Sequence, residues 1–198
     1  MNGIKFLEVT GADDNLLHGF SKTYQEAFGG SPYYETYTDE QVYQDVWSSH
    51  LQNGIVILAL KEEQVIGFGC ALPFRATSES IRKFLLQKQH EGVIEIDLQN
   101  AWYMSELGVS IPCRGQGIGY GLIKMRLLRI LDRGDSHYFM RTAAKGSNSR
   151  HMYERIGSKV VCGSQNVSAT DQVQVNQSQS LERIYLFGSC EEALQYIS

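Results

Sequence analysis

The sequence predicts an α+β fold, and three observations carry that prediction. About seven strand-like segments are interspersed with amphipathic helical segments. Ile55–Leu60 and Val65–Leu72 flank a charged tip, Lys61-Glu62-Glu63-Gln64, as the arms of a hairpin. Residues 102–131 then run from strand through a glycine-rich turn into a helix. With 198 residues and no internal repeat, the chain is predicted to form a single domain, 1–198, with its own core.

Taken in order, Ile4–Val9 alternates as a first strand. Thr10 or Asp13 caps a helix whose stripe is Leu16, Leu17, Phe20, Tyr24 and Phe28, stopped at Gly29-Gly30. An aromatic loop, 31–37, follows. Thr38 and Gln41 make a capping box for a second helix that turns Val42, Val46, Trp47 and Leu51 inward. Asn53-Gly54 ends it. Both arms of the hairpin are apolar on both faces, as in a covered sheet. A helix is predicted over 77–90, with Ile81, Phe84 and Leu85 inward, while 91–100 reads equally as strand or loop. After the helix that carries Ile118, Leu122, Ile123, Leu127, Ile130 and Leu131, a turn at 133–135 leads to a strand over 136–143. A short helix ends at Gly157 in a left-handed cap. Strands over 159–162 and 183–187 flank the polar segment Ser164–Ser180, a hairpin tip or loop. A last helix spans 191–197.

The formal charge of −4 and the lack of a basic run argue against nucleic acid. The longest apolar run, Ile55–Leu60, is too short to cross a bilayer, and no signal peptide is suggested. Four dispersed cysteines and five scattered histidines make neither a Cys-x-x-Cys pair nor a metal motif. A reduced, cytoplasmic protein without a metal is the expectation.

The central stretch bears most on function. A strand that stops in a glycine turn and restarts as a helix aims unpaired amides and the positive helix end at one place, which suits a phosphate. Glycines let the anion reach the amides. No lysine stands beside these glycines, so a Walker loop is excluded. A dinucleotide fingerprint would need glycine at Tyr120 or Leu122. What remains is Arg-x-x-Gly-x-Gly at Arg114, Gly117 and Gly119, with Val109 five residues before the arginine. This resembles the acetyl-coenzyme A pyrophosphate loop of the GNAT acetyltransferase superfamily. The order of elements resembles that fold along nearly the whole chain, with 77–90 as an extra helix.

The resemblance implies a mixed, mostly antiparallel central sheet of about seven strands with helices on both faces. It implies an N-acetyltransferase that moves an acetyl group from acetyl-coenzyme A to a primary amine by direct attack. The backbone of Leu107, Gly108 and Val109, on a strand splayed from its neighbour, would pair with the pantetheine arm and hold the acetyl carbonyl. Arg114 and the loop residues Gly115, Gln116, Gly117, Ile118, Gly119 and Tyr120 would hold the diphosphate. Glu106, sharing a face with Trp102, Met104 and Gly108, is the candidate base, its pKa expected to be raised by apolar neighbours. A structural carboxylate, or one that only binds the acceptor's charge, are the other readings of Glu106. Tyr153, in Tyr153-Glu154-Arg155-Ile156-Gly157, resembles the tyrosine that protonates the departing thiolate. Ser158 stands where the family has phenylalanine, and Gly146 where it has asparagine. Asn148 therefore stands as a coenzyme contact or a helix cap.

Tyr33, Tyr34, Tyr37 and Trp47 come from the region that lines the acceptor side of this fold. Their rings, with Glu35, Asp39 and Glu40, suit an ammonium. The acceptor is expected to be a small-molecule amine. A protein N-terminus or lysine, or a non-catalytic acyl-coenzyme A sensor, are the rival readings. A homodimer is an assembly the resemblance allows. Cys113 has no activating histidine beside it in sequence and is expected to be passive.

Overall fold

In the computed structural model, residues 3–30, 34–144, 148–167 and 181–197 are described. Strand β1 (Ile4–Glu8) leads to helix α1 (Asp14–Gly29). Of the two expected caps it is Asp13 that acts, accepting from the Asn15 and Leu16 amides at 3.0 Å. Thr38 and Gln41 form the expected capping box, with bonds of 3.2 and 2.8 Å. The second helix is not a continuous α-helix. A short α2 (Asp39–Gln41) passes into a π-helical stretch, Val42–Ser48, and then into α3 (Ser49–Asn53). Val42 and Trp47 are five apart, the spacing of π-helical hydrogen bonds, so the wider turn puts both on the buried side.

Strands β2 (Ile55–Lys61) and β3 (Gln64–Pro73) make the predicted hairpin. Its tip is tighter than the four-residue reading: Lys61 pairs with Gln64, and only Glu62 and Glu63 turn, at φ 50° and 67°. Both positive values match the twist of a two-residue hairpin turn. Helix α4 (Glu79–His90) forms where expected. The ambiguous 91–100 is loop, closed by a 3₁₀ turn at Leu98–Asn100. The remaining elements are β4 (Ala101–Val109), α5 (Ile118–Asp132), β5 (His137–Ala143), α6 (Asn148–Arg155), β6 (Lys159–Val167), β7 (Leu181–Ser189) and α7 (Cys190–Tyr196). Residues 168–180, most of the polar segment, lie outside the described residues. The sheet has seven strands in the order β1-β2-β3-β4-β5-β7-β6, antiparallel in most of its pairs and parallel between β4 and β5.

The chain divides into two compact units, neither continuous in sequence. The first holds 1–71 and 106–126. Its core joins Phe20, Tyr24 and Ala27 of α1 to Val42, Val46 and Trp47, and to Val56, Leu58 and Phe68 of the hairpin. Adjacent strand residues face opposite ways. Phe68 therefore meets α1, with Phe20 at 5.0 Å and Tyr24 at 5.3 Å between ring centres. Gly67 and Gly69 meet α5 through Ile118, Leu122 and Arg126. Helices thus cover both faces of this unit. In the second unit Phe74, Ile81, Leu85, Leu98, Phe139, Tyr185 and Phe187 share a core. Tyr138, on the other face of β5 from Phe139, packs against Tyr153 of α6.

His50 is buried at the end of the first unit's helical layer, its ring Nδ1 2.6 Å from the Val46 carbonyl. Burial, aided by the Arg126 charge and opposed by that hydrogen bond, pulls its pKa below the ordinary histidine value. In this window the unfolded chain binds the proton that the folded chain refuses. Stability is therefore full above the unfolded histidine pKa and is lost as pH falls toward the folded one. Urea unfolding at about pH 8 and about pH 5 should show the wild type losing more stability than His50→Phe across that range. Equal losses would remove His50 as the cause.

Candidate active site

In the first unit, β4 ends at Val109 and the chain enters the glycine-rich loop under the control of α1. The Ser110 amide donates to the Ile66 carbonyl at 2.9 Å, continuing the contact with β3. The Glu26 carboxylate accepts from the Ser110 hydroxyl at 3.0 Å and from the Ile111 amide at 2.9 Å. A 3₁₀ turn at Ile111–Cys113 follows, closed by Cys113 N–H on the Ser110 carbonyl. Gly115 and Gly117 then take φ of +76° and +78°, values at which a side chain would strain the backbone. A Cβ at Gly115 would meet nothing within 4 Å, so the loop is open as well as bare. The first backbone bond at the start of α5 runs from Gly121 N–H to the Gly117 carbonyl. The amides of Ile118, Gly119 and Tyr120 precede it and have no acceptor within the helix. They stand at its positive end. Such an arrangement suits an anion, and the loop is the candidate cradle.

Arg114 is fixed beside this cradle. Its Nε donates to the Val109 carbonyl at 3.0 Å and an Nη to the Ala27 carbonyl at 3.4 Å. These bonds clamp the end of β4 to α1. Gln116 bonds within the loop, to the Pro112 carbonyl. Leu107 is half-buried, and Gly108 is required by packing: a Cβ there would lie 2.3 Å from the Phe68 ring.

Within the second unit, β4 and β5 pair at Ala101–His137, Trp102–Tyr138 and Tyr103–Phe139, and the ladder stops there. On its other edge β5 goes on pairing with β7 to Ala143. The strands part in the manner that the resemblance implies. The family model described as "Acetyltransferase (GNAT) family" matches residues 17–157, spanning the hairpin, the parted strands, the cradle and Tyr153.

The chain belongs to the GNAT acetyltransferase family.

Solved structures agree with this GNAT fold. The chain is similar to yncA from Salmonella typhimurium, solved with its cofactor acetyl-CoA, at 12% identity and TM-score 0.65, covering 96% of this chain and 95% of that one. It is similar to a ribosomal-protein-alanine N-acetyltransferase from Brucella melitensis, at 17% and 0.64, covering 92% and 99%. An N-acetyltransferase from Staphylococcus aureus Mu50 gives 12% and 0.65, covering 94% and 99%. No curated protein matches the chain by sequence.

In this GNAT chain Glu106 is half-buried, and the residue that engages it was legible only as part of an apolar stripe. The Tyr24 hydroxyl donates to Glu106 Oε2 at 3.3 Å. Tyr37 stands edge-on to Tyr24, 5.2 Å between ring centres, and its hydroxyl donates to Glu35 at 2.8 Å. Burial first, then the charge of Glu106, pushes the Tyr24 pKa far above the ordinary phenol value. Burial and the Glu35 carboxylate raise Tyr37. Both phenols therefore remain donors, and two carboxylates share one aromatic corner. The apolar surroundings expected of Glu106 are thus incomplete. Its carboxylate faces α1 on the same side as Gly108 and accepts from one phenol.

Of the expected acceptor-side aromatics, Tyr37 is in this corner and Tyr34 is 57% exposed. Tyr33 lies outside the described residues. Trp47 is a core residue, 2% exposed and 5.0 Å from the Phe20 ring, so its work is packing. In the second unit Tyr153 is 1% exposed and tilted on Tyr138. Gly157 caps α6 at φ +88°, as predicted. The Ser158 hydroxyl lies 2.7 Å from the Tyr138 hydroxyl, a hydrogen bond that gives this buried serine a partner. Asn148 opens α6, and its side chain, like Gly146, lies outside the described residues.

The described cysteines are free. Burial raises Cys70 far above the thiol range, Cys162 to about 11 and Cys190 to about 12, so these are protonated packing groups. Among the described residues no group of acids, histidines or cysteines could hold a metal ion, and no helix is long and apolar enough to cross a membrane. Sequence reasoning overlooked Glu26. Its only signal was an acid one turn before the end of a helix, and what it caps is 84 residues away. Glu26→Ala should cost about 1–2 kcal/mol of stability and speed hydrogen exchange at the Ile111 amide, because two loop donors lose their acceptor. Unchanged exchange at Ile111 would show that Glu26 does not hold the loop.

Proposed function

We propose that this protein is an acetyl-coenzyme A-dependent N-acetyltransferase whose acceptor is a small-molecule primary amine. The observation that carries the proposal is the loop from Arg114 to Tyr120, with two left-handed glycines and the amides of a helix start turned outward. The amides of residues 116–120 would hold the diphosphate, with Arg114 adding fixed positive charge. The backbone of Leu107–Val109 would pair with the pantetheine amides, and amides near Val109 would stabilise the oxyanion that forms on attack. The coenzyme thioester supplies the activated acetyl group. The family match runs through both units and supports treating the chain as one acetyltransferase domain.

Glu106 would take the proton from the acceptor ammonium, since a protonated amine cannot attack a thioester. Its bond from Tyr24 fixes the carboxylate, and Glu35 with Tyr37 adds negative charge and a ring edge for a cationic acceptor. Tyr153 would return a proton to the leaving sulfur.

Calorimetry should detect acetyl-coenzyme A binding, and thiol release should require an amine from a panel. No affinity for the coenzyme would end this reading, and affinity without turnover would mark a sensor. Glu106→Gln should lose about 10²–10⁴-fold in rate near neutrality and recover at high pH, where the amine is already deprotonated. A pH–rate profile like the wild type's would dismiss Glu106 as base. Tyr153→Phe should slow turnover with coenzyme affinity nearly unchanged, and full activity would rule out the acid role.

A further inference from the structure

Helix α6, which carries the candidate acid Tyr153, is only eight residues long. Two turns of helix have little stability of their own, so the placement of such a helix depends on its contacts. Within the second unit, the end of α6 closes on Tyr153 itself. The Ser158 amide donates to the Tyr153 carbonyl at 3.0 Å, and the Gly157 amide to the Glu154 carbonyl at 3.1 Å. With Gly157 left-handed at φ +88°, this is a Schellman closure. It fixes where Ser158 stands relative to Tyr153.

The Ser158 side chain then reaches β5. Its Oγ lies 2.7 Å from the Tyr138 hydroxyl, and the Tyr138 ring tilts on the Tyr153 ring with centres 5.9 Å apart. Three buried residues thus close a circuit of contacts. Main chain joins Ser158 to Tyr153, hydroxyl joins Ser158 to Tyr138, and ring packing returns from Tyr138 to Tyr153. Tyr138 has a support of its own in Gly188, its partner across the ladder on β7. A Cβ on Gly188 would lie 2.5 Å from the Tyr138 hydroxyl, so the phenol lies over a position that must stay bare. Burial pushes the Tyr138 pKa well above the ordinary phenol value, and the hydroxyl keeps its proton at any working pH. Its bond to Ser158 is therefore one between neutral groups. Losing it would change geometry and leave charge as it was.

We propose that Tyr138 and Ser158 are positioning residues for Tyr153, their hydroxyl pair holding its ring in the orientation from which it returns a proton to the leaving sulfur. The proposal rests on the reading of Tyr153 as the acid and deepens it. Displacing a reacting group by about 1 Å costs up to about 10²-fold in rate, so a single bond that sets the ring is felt in turnover.

The test measures kcat, KM and thermal melting in Tyr138→Phe, Ser158→Ala and the double variant, each also made in a Tyr153→Phe background. Each single substitution removes one hydroxyl and keeps the remaining packing. Each should lower kcat by about 10–100-fold with KM for acetyl-coenzyme A unchanged. Each also leaves the other hydroxyl buried and unpaired, so both should melt below wild type. The double variant leaves neither unpaired. Its melting temperature should return toward wild type while its kcat stays low, a split that a merely structural pair would not give. The double variant carries the comparison if a single one does not fold. In the Tyr153→Phe background none of these changes should slow turnover further. Full activity in the variants, a kcat that recovers with stability, or a further loss beyond Tyr153→Phe overturns the proposal and leaves the acid reading standing. Full activity in Tyr153→Phe alone ends the acid reading, and this proposal with it. Should no amine be acetylated, NMR of ring-labelled tyrosine decides the contact separately. Tyr153 ring signals that move in both Ser158→Ala and Tyr138→Phe sustain the hold on Tyr153 while the acetyltransferase reading fails. Signals unmoved in Ser158→Ala overturn it.

Discussion

A guanidinium sealed inside the first unit holds its candidate base in place. Arg126 is fully buried, and it donates to the carbonyls of Cys70 on β3 at 2.9 Å and Glu106 on β4 at 3.1 Å. Its Nε is bonded to Leu122, one turn back along α5. The strand that bears Glu106 is thus tied, at that residue's own backbone, to the helix whose first amides form the cradle. A buried charge persists only with such saturation by acceptors. Gly69 is part of the same arrangement, because a Cβ there would lie 2.8 Å from Arg126 Nε.

From the other side, α1 grips the same segment by means of polar groups. Tyr24 reaches the Glu106 carboxylate, Glu26 the start of the loop, and the Ala27 carbonyl an Arg114 nitrogen. Contacts from a single turn of one helix fix the candidate base, the loop entrance and the loop arginine together. The same helix buries Phe20 and Tyr24 against Phe68, so the polar contacts stand on a packed apolar layer. Precision in the candidate site comes from this layer, since a loop alone would not hold its groups to a fraction of an ångström.

Legibility of the sequence followed how local each cause was. The capping box at Thr38, the hairpin, the left-handed Gly157 and the helix from Ile118 were all readable because each is set within a few residues. The loop was readable for the same reason: its glycines and the helix behind them are contiguous. The π-helical stretch was not readable, since its apolar residues fit an α-helix nearly as well; in the fold Trp47 packs on Phe20. Trp47, taken as an acceptor-side ring, was claimed by that packing.

The amino-acid order by itself determined the order of strands and helices and the bare glycine turn at the start of α5, because these depend on short-range periodicity and backbone freedom. Tertiary structure alone decided what those groups touch. Nothing in the sequence linked Glu106 to Tyr24, Glu26 to Ser110, or Arg126 to Cys70. Partners separated by tens of residues meet only after the sheet has set its register, and it is that register which turns an ordinary residue into a donor, a clamp or a counter-charge.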